Sequence, residues 1–182
     1  MYNAIGMIEL TSIARGIYAT DLMLKTAAVE IVSATPVCPG KYIAIVYGDV
    51  AAVDSSVNVG VATAGEYLVD SFILPNVHPA VFPAITATTL PEGMGALGIM
   101  ESFSLATMII AADAALKAAD IQALELRLGS GIGGKSYFTF TGDVAAVQAG
   151  IEAGTAVALE KGLLVDTEVI ASPSDRLWKT LY

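Results

Sequence analysis

The sequence predicts an α+β chain built from two tandem copies of one β-α-β-β-α-β domain. Three observations predict this fold class. The chain has 182 residues, a length that accommodates two compact domains of about 90 residues each. It repeats itself over almost its full length, and each repeat alternates short apolar runs with segments of helical spacing.

The internal repeat is the strongest of these signals. Residues from Ala4, AIGMIELTSIARGIYATDLMLKTAAVEI, match residues from Ala96, ALGIMESFSLATMIIAADAALKAADIQA, at a constant offset of 92. After a two-residue change in length, PGKYIAIVYGDVAAV from Pro39 matches GGKSYFTFTGDVAAV from Gly133 at an offset of 94. The shared GDVAAV indicates that one domain has been duplicated.

Each element of the first repeat follows from its local pattern. Short apolar runs predict strands, residues recurring at helical spacing predict helices, and a Pro/Gly loop between two apolar runs predicts a hairpin. The predicted elements are a strand from Ala4 to Leu10, a helix from Ile13 to Ala28, strands from Val29 to Ala34 and from Tyr42 to Tyr47, a helix from an N-cap at Asp49 to about Gly65, a strand from Tyr67 to Leu74, and a short helix. This order is the split βαβ of ferredoxin-like folds.

Two domains follow from the repeat. We predict a first domain over residues 1–90, with Cys38 in its hairpin loop, and a second over residues 91–182, joined by a linker near Thr86 to Gly95.

The helix from Val50 to Gly65 has a single charge among many Ala, Gly and Ser residues, whereas a solvated helix usually has a charged face. We therefore expect protein around this helix.

Composition excludes several classes of partner. Hydrophobic residues make up 55% of the chain and charged residues 15%, which is too apolar for disorder. Prolines break the longest uncharged stretch, Ser71 to Pro91, so no membrane span is expected. The first residues lack a basic n-region, which favours a cytoplasmic location. The apolar surplus predicts self-association, and a net charge of -9 argues against nucleic acid as a partner.

One segment matches a phosphate-binding motif letter for letter. GSGIGGKS, Gly129 to Ser136, satisfies both G-x-x-x-x-G-K-[ST] and G-x-G-x-x-G. A phosphate loop needs a helix directly after its lysine, but here the alternating run SYFTFTGDV predicts a strand. We interpret the segment as a hairpin loop, equivalent to TPVCPGK in the first repeat, and keep a nucleotide-binding enzyme only as a third hypothesis.

Cys38 is the only cysteine, so it cannot form an intrachain disulfide or a Cys-x-x-Cys metal site. Most free cysteines are buried and inert, but this one lies in the loop Pro36 to Gly40, and loops are usually exposed. A single cysteine can build a site of several thiolates only by rotational symmetry. A trimer with Cys38 on its axis would present three of the four usual cluster ligands.

No enzymatic arrangement emerges from the remaining polar residues. His78 is the only histidine and suits a helix start or a subunit contact better than catalysis or metal binding. Glu9 and Glu101 recur at equivalent positions of the two repeats, which indicates a structural role rather than an acid/base pair. We therefore predict that the chain is not an enzyme.

At this point the repeated motifs carry a family resemblance. AIGMIE, DLMLK and GDVAAV, followed by ALGIMES, DAALK and GDVAAV in the same order, resemble the shell domain of bacterial microcompartments, present twice. TPVCPGK and GIGGKSY resemble the two loops of the tandem-domain, trimer-forming shell proteins of propanediol-utilisation compartments.

The resemblance implies a homotrimer whose six domains imitate a hexagon, a tile of a protein shell in the cytoplasm. It implies that Cys38 from each of three subunits binds one [4Fe-4S] cluster per trimer on the threefold axis, for transfer of electrons or of the cluster, and that aerobic preparations can lack it. The alternative is a tile whose axial opening conducts small metabolites. The residues assigned to the axis are Val37, Cys38, Pro39, Gly40, Gly131, Ile132 and Gly133.

The resemblance also implies partners and edges. Lys25 and Lys117 match the edge lysine of the D-x-x-x-K motif. A second edge motif, P-R-P-H, is degraded: the first repeat has Pro75-Asn76-Val77-His78, with no arginine, and the second has Ala171-Ser-Pro-Ser174. Asn76 and His78 are the edge residues assigned there. The implied partners are further copies of the chain, other hexameric shell proteins and an encapsulated redox enzyme.

Overall fold

The computed structural model describes residues 4–161 and 163–181. The first repeat contains β1 (Ala4–Leu10), α1 (Ile13–Thr26), β2 (Val29–Val37), β3 (Lys41–Gly48), α2 (Val50–Ala64), a 3₁₀ turn (Gly65–Tyr67), β4 (Leu68–Pro75) and α3 (Val81–Ile85). The second repeat contains β5 (Ala96–Ser102), α4 (Leu105–Ala118), β6 (Ile121–Leu128), β7 (Ser136–Gly142), α5 (Val144–Lys161), β8 (Leu164–Ile170) and α6 (Asp175–Leu181).

Each repeat forms its own four-stranded antiparallel sheet. The strand orders are β2-β3-β1-β4 and β6-β7-β5-β8, with β1 antiparallel to β3 and to β4, and β5 antiparallel to β7 and to β8. This is the order that a β-α-β-β-α-β domain adopts when its two helices cross over the same sheet. The predicted α+β class and the ferredoxin-like arrangement of both repeats are confirmed.

Contacts within the chain divide it into two compact units. Unit 1 contains the chain up to Val77 together with the loop Gly129–Gly134, and unit 2 contains His78–Leu128 and the chain from Lys135 onward. The segment between β4 and β5, including α3, therefore belongs to unit 2 although it follows the first sheet. The domain boundary after residue 90 stays a prediction.

Several element boundaries differ from the predicted ones, most of all the ends of α1 and β2. α1 ends at Thr26 rather than Ala28, because Ala27 is already extended with a φ of -146°. β2 continues past Ala34 to Val37 and includes Pro36, which is tolerated because β2 is an edge strand. Asp49 occupies the N-cap position of α2, as predicted, but its side chain makes no capping hydrogen bond.

The core of unit 1 lies between its sheet and helices α1 and α2. Its buried cluster includes Ile8 of β1, Met23 of α1 and Val53 of α2. Gly6 of β1 is required by close packing, since an added Cβ would lie 2.5 Å from Val57 Cγ2. α2 packs on α1 and the sheet with one face and exposes the other, so its low charge is only partly explained within one chain.

In the described part of the chain, no helix has both the length and the apolar character that a membrane crossing demands.

Candidate functional site

The candidate site is the pair of hairpin loops that meet at Cys38. Cys38 follows β2 in the first loop, and Gly129 follows β6 in the second. The Cys38 backbone N–H donates to the carbonyl oxygen of Gly129 at 3.0 Å. On the other side, a Cβ added to Gly134 would lie 3.0 Å from Cys38 O. The second loop therefore packs against the backbone of the first, and the Cys38 side chain is partly exposed.

Glycines give both loops their shape. Gly40 has a φ of +93°, and the four glycines of the second loop have positive φ values as well. Residues with a Cβ rarely adopt this conformation. Added Cβ atoms at Gly40, Gly131 and Gly133 would meet nothing within 4 Å, so backbone conformation rather than crowding requires glycine there. Val37, directly before Cys38, is buried, and its carbonyl accepts the Gly40 N–H at 2.9 Å.

An ion pair lies at the base of each hairpin. Lys41, the first residue of β3, donates to Glu9 Oε1 of β1 at 2.7 Å, and the Glu9 carboxylate is buried. Lys135, directly before β7, pairs with Glu101 Oε1 of β5. Both pairs join equivalent positions of the two repeats. The structural role predicted for Glu9 and Glu101 is thereby confirmed, since each carboxylate fixes the lysine at the end of a loop.

These contacts also account for the phosphate-loop motif. β7 begins at Ser136, so a strand rather than a helix follows Lys135. The Lys135 ammonium group, which would contact phosphate in a nucleotide site, is paired with Glu101. The interpretation of Gly129 to Ser136 as a hairpin loop is confirmed.

The metal hypothesis depends on more than one copy of the chain. Within residues 4–161 and 163–181, no group of three or more His, Cys, Asp or Glu side chains is placed to hold a metal ion. Cys38 supplies a single free thiol and is partly exposed. An iron-sulfur cluster needs several thiolates, so a cluster at Cys38 requires several copies of the chain and stays a prediction.

The two predicted edge lysines form equivalent ion pairs in unequal surroundings. Lys25 Nζ donates to Asp21 Oδ2 at 2.6 Å, and Lys117 Nζ donates to Asp113 Oδ2 at 2.6 Å. The Asp21 side chain is 51% exposed, whereas that of Asp113 is 6% exposed. Both lysine side chains retain large exposed fractions, so either ammonium group is accessible to a partner.

The remaining predicted edge residues lie between β4 and α3. Asn76 has a φ of +53°, which places the chain in a sharp turn after β4. The His78 backbone N–H donates to Asp113 Oδ1 at 2.7 Å, and its Nδ1 accepts the Ala80 N–H at 3.3 Å, directly before α3. Of the two positions predicted for His78, a helix start or a subunit contact, the structure places the residue three positions before the first residue of α3, and its role at a tile edge stays a prediction.

Sequence reasoning missed a polar cluster on β6 and β7. Tyr137 Oη donates to Glu125 Oε2 at 2.6 Å, and Arg127 Nη2 lies 2.6 Å from Glu125 Oε1. Burial of the phenol, reinforced by the hydrogen bond to Glu125, raises the pKa of Tyr137 to about 12. The Glu125 hydrogen bond likewise raises the pKa of Arg127. The signal was available in the alternation of Glu125 and Arg127, which places both side chains on one face of β6.

Both repeats match one known domain family. The BMC domain family matches residues 4–77 and 96–173, one match for each repeat. The chain belongs to the BMC domain family of microcompartment shell proteins. The bacterial microcompartment shell protein PduT of Citrobacter freundii is 42% identical over 181 residues, covering 100% of this chain and 98% of that protein. The predicted family is confirmed.

Two further likenesses agree with this family. A crystal structure of a microcompartment protein from Desulfitobacterium hafniense superposes with a TM-score of 0.94 at 52% identity, covering 98% of this chain and 99% of that one. The carboxysome assembly protein CcmO of a Synechococcus species is 31% identical, covering 98% of this chain and 68% of that protein. This chain is a structural shell protein of a bacterial microcompartment, and its BMC domains are of the PduT-like tandem type.

Proposed function

We propose that three copies of this BMC protein assemble into a pseudohexameric tile in which the Cys38 loops meet on the threefold axis. The observation that supports this is the hydrogen bond from Cys38 N–H to Gly129 O, through which loops of both repeats build the surroundings of the only thiol. Two similar domains in each of three chains provide six similar units around one axis, and closed rings of this kind are common among homo-oligomers.

The proposal extends to a [4Fe-4S] cluster held by Cys38 from each of the three copies. The donor chemistry fits, because Cys38 supplies a partly exposed thiol and three thiolates are three of the four usual ligands. When bound, the cluster would supply one-electron transfer across the shell or would itself be the cargo. Val37, Pro39 and Gly40, and across from them Gly131, Ile132 and Gly133, are the residues proposed to border it.

The chain's own residues have a positioning role in this function. The Lys41–Glu9 and Lys135–Glu101 pairs fix the base of each hairpin. The glycines above them adopt positive φ values, so the loop backbones follow a defined path to Cys38. A ligand loop that is fixed before assembly loses less conformational entropy when the subunits meet.

The tile would contact other shell proteins through its edges. Lys25 and Lys117 are the proposed contact residues, since both ammonium groups are accessible while their aspartate partners hold them in place. Asn76 and His78 are proposed to complete one edge. Other hexameric shell proteins are the proposed neighbours, and an encapsulated redox enzyme is the proposed electron donor or acceptor.

Iron analysis of protein purified without oxygen tests the cluster. We expect about four irons and four sulfides per trimer, by colorimetric assay and native mass spectrometry. Cys38→Ser should keep the trimer mass and abolish the bound iron. Ser130→Ala, a change at an exposed position of the neighbouring loop, is the matched control and should retain the iron. Bound iron that persists in Cys38→Ser would contradict the assignment.

A wild-type trimer without iron would favour the second candidate, an axial opening for small metabolites. The open space around Gly40, Gly131 and Gly133 is the observation that supports this candidate. Nucleotide binding is a separate outcome: it would contradict both candidates only if it were stoichiometric and abolished by Lys135→Ala.

A further inference from the structure

Within one chain, a short segment covers the face formed by α4 and β6. The segment His78–Ile85 packs against both elements, and Val81 and Ala84 of α3 are completely buried. The His78 N–H donates to Asp113 Oδ1 of α4 at 2.7 Å, while Asp113 Oδ2 accepts from Lys117. Both carboxylate oxygens of Asp113 therefore have donors.

The equivalent face of unit 1, formed by α1 and β2, lacks such a cover in the described chain. Ile17 of α1 is 56% exposed, whereas its repeat equivalent Ile109 is 0% exposed. Ile31 of β2 is likewise exposed, whereas its equivalent in β6, Ala123, is buried. Asp21 matches Asp113, yet among the residues that the structure describes only Lys25 donates to it, and only to Oδ2. The α1–β2 face is thus apolar, with one open acceptor.

The second repeat ends in the counterpart of the covering segment. Strand register aligns the two, because Asp70 pairs with Glu9 and Asp166 pairs with Glu101 at equivalent positions. In this register Ser174 corresponds to His78, and α6 corresponds to α3. Leu177 corresponds to Val81, but it is 39% exposed where Val81 is 0% exposed.

We propose that the segment Ser174–Leu181 of one copy docks on the α1–β2 face of a second copy of this chain. In this contact the Ser174 N–H donates to Asp21 Oδ1 of the second copy, and Leu177 covers Ile17. The inference rests on the proposed self-association and names the contact that produces it. Both surfaces are incomplete in one chain, and each is the repeat equivalent of a surface that is complete.

The anchoring of α6 agrees with this contact. Trp178 is buried against Leu97 and Leu124 of its own unit, so the segment is attached to the sheet that precedes it. Leu177, the neighbouring residue, is exposed. One side of α6 therefore fixes the segment, and another side remains for the second copy. Each chain has one docking segment and one receiving face, which makes the contact heterologous and allows a closed ring.

Disulfide trapping tests the contact directly. In a Cys38→Ser background, we expect Asp21→Cys combined with Ser174→Cys to give covalent dimers and trimers on a non-reducing denaturing gel. Either cysteine alone should give no trimer, and Asp113→Cys with Ser174→Cys is the matched control that should fail to link chains. Native trimers of the double-cysteine protein that never become covalent under oxidation would overturn the docking contact and leave the tile intact.

A mixing experiment gives an independent answer. Ile17→Asp blocks the receiving face and Leu177→Asp blocks the docking segment, and both positions are exposed in the single chain, so both variants should fold, as circular dichroism checks. Each alone should lose the trimer mass in native mass spectrometry. Their mixture should form a 1:1 dimer and no trimer, because only one intact contact is available. Trimers of either variant alone contradict the proposal, and a monomeric wild type contradicts the proposed function as well.

Discussion

Helices α1 and α4 occupy the same position in the two repeats and have the same length, yet they differ in burial. α4 buries ten of its 14 residues, whereas α1 buries four of 14. Both begin after a serine whose Oγ accepts a backbone N–H, Ser12 from Arg15 and Ser104 from Thr107, and both end after a lysine paired with an aspartate. Local signals therefore define the two helices identically, and the difference arises from what packs against them.

An internal repeat provides its own control. A residue exposed in one repeat and buried in the other has a tertiary partner in only one of them. Matched substitutions at equivalent positions should consequently separate the free energy of unfolding of the single chain from the free energy of association.

The largest expected difference is between Ile109→Ala and Ile17→Ala. Removing the fully buried Ile109 side chain should lower the free energy of unfolding by about 2–5 kcal/mol at any protein concentration. Ile17→Ala should change the unfolding of the single chain by less than about 0.5 kcal/mol, since the side chain is exposed there. Urea denaturation at several protein concentrations measures both effects. Equal losses for the two variants at high dilution would show that the helices have equivalent surroundings.

The next pair is Glu9→Gln and Glu101→Gln. Glu9 is buried and accepts from Lys41, so weakening this charged hydrogen bond should cost about 1.5–3 kcal/mol. Glu101 is part-exposed beside Lys135, and exposed pairs contribute about 0.2–1 kcal/mol. Thermal unfolding followed by circular dichroism compares the two. A larger loss for Glu101→Gln would reverse the order that burial predicts.

A smaller difference is expected between Asp113→Ala and Asp21→Ala. Asp113 accepts the part-buried His78 N–H, and leaving that donor without an acceptor costs about 1–2 kcal/mol. Asp21→Ala removes an exposed i,i+4 pair worth about 0.3–0.5 kcal/mol. Hydrogen exchange at the His78 amide is the specific readout, because only Asp113→Ala should accelerate it. No change in that exchange would mean that the hydrogen bond does not form in solution.

The smallest effect is a pH dependence found in one repeat only. The pKa of Tyr137 is raised to about 12 by burial and by the Glu125 hydrogen bond. Because the folded state holds the proton more tightly than the unfolded state, this contribution to stability is fully present below pH 10 and is lost as pH rises through about 12. Ultraviolet titration at 295 nm of wild type against Tyr137→Phe should show the missing phenol near pH 12. A difference centred near pH 10 would contradict the raised pKa.

The fold was predictable because the repeat tests each element twice. Strand β1 was predicted with its observed bounds, and the motif GDVAAV located the start of α2 and α5 in both repeats. The errors lie where the position of a strand in the sheet, rather than its local sequence, determines where the strand ends. Proline usually ends a strand, because it has no N–H to donate. An edge strand tolerates proline, because the N–H groups on its open side have no neighbouring strand to pair with, so β2 continues through Pro36 to Val37.

The candidate site was predictable only in part. The Lys–Glu pairs could have been found, since Glu9, Glu101, Lys41 and Lys135 recur together in both repeats. The contact between Cys38 and Gly129 could not, because the two residues are far apart in sequence and their loops differ in length. The Glu125–Tyr137 hydrogen bond occurs in one repeat only, where the other repeat has Ser33 and Ile43, so the duplication gave no signal for it.

The ion pairs at the base of the hairpins lie at the boundary between the sheets and the loops. On one side of Lys41 and Lys135 lie the strands of the sheets, and on the other side lie short loops in which Cβ atoms added at Gly40, Gly131 and Gly133 would meet nothing within 4 Å. Substitutions at loop positions other than the positive-φ glycines can therefore accumulate without disturbing the sheets. A shell protein built in this way could change the chemistry of its first loop, in evolution or in the laboratory, by substitutions at Cys38 and Pro39, while Gly40 keeps its positive φ and the sheets stay the same.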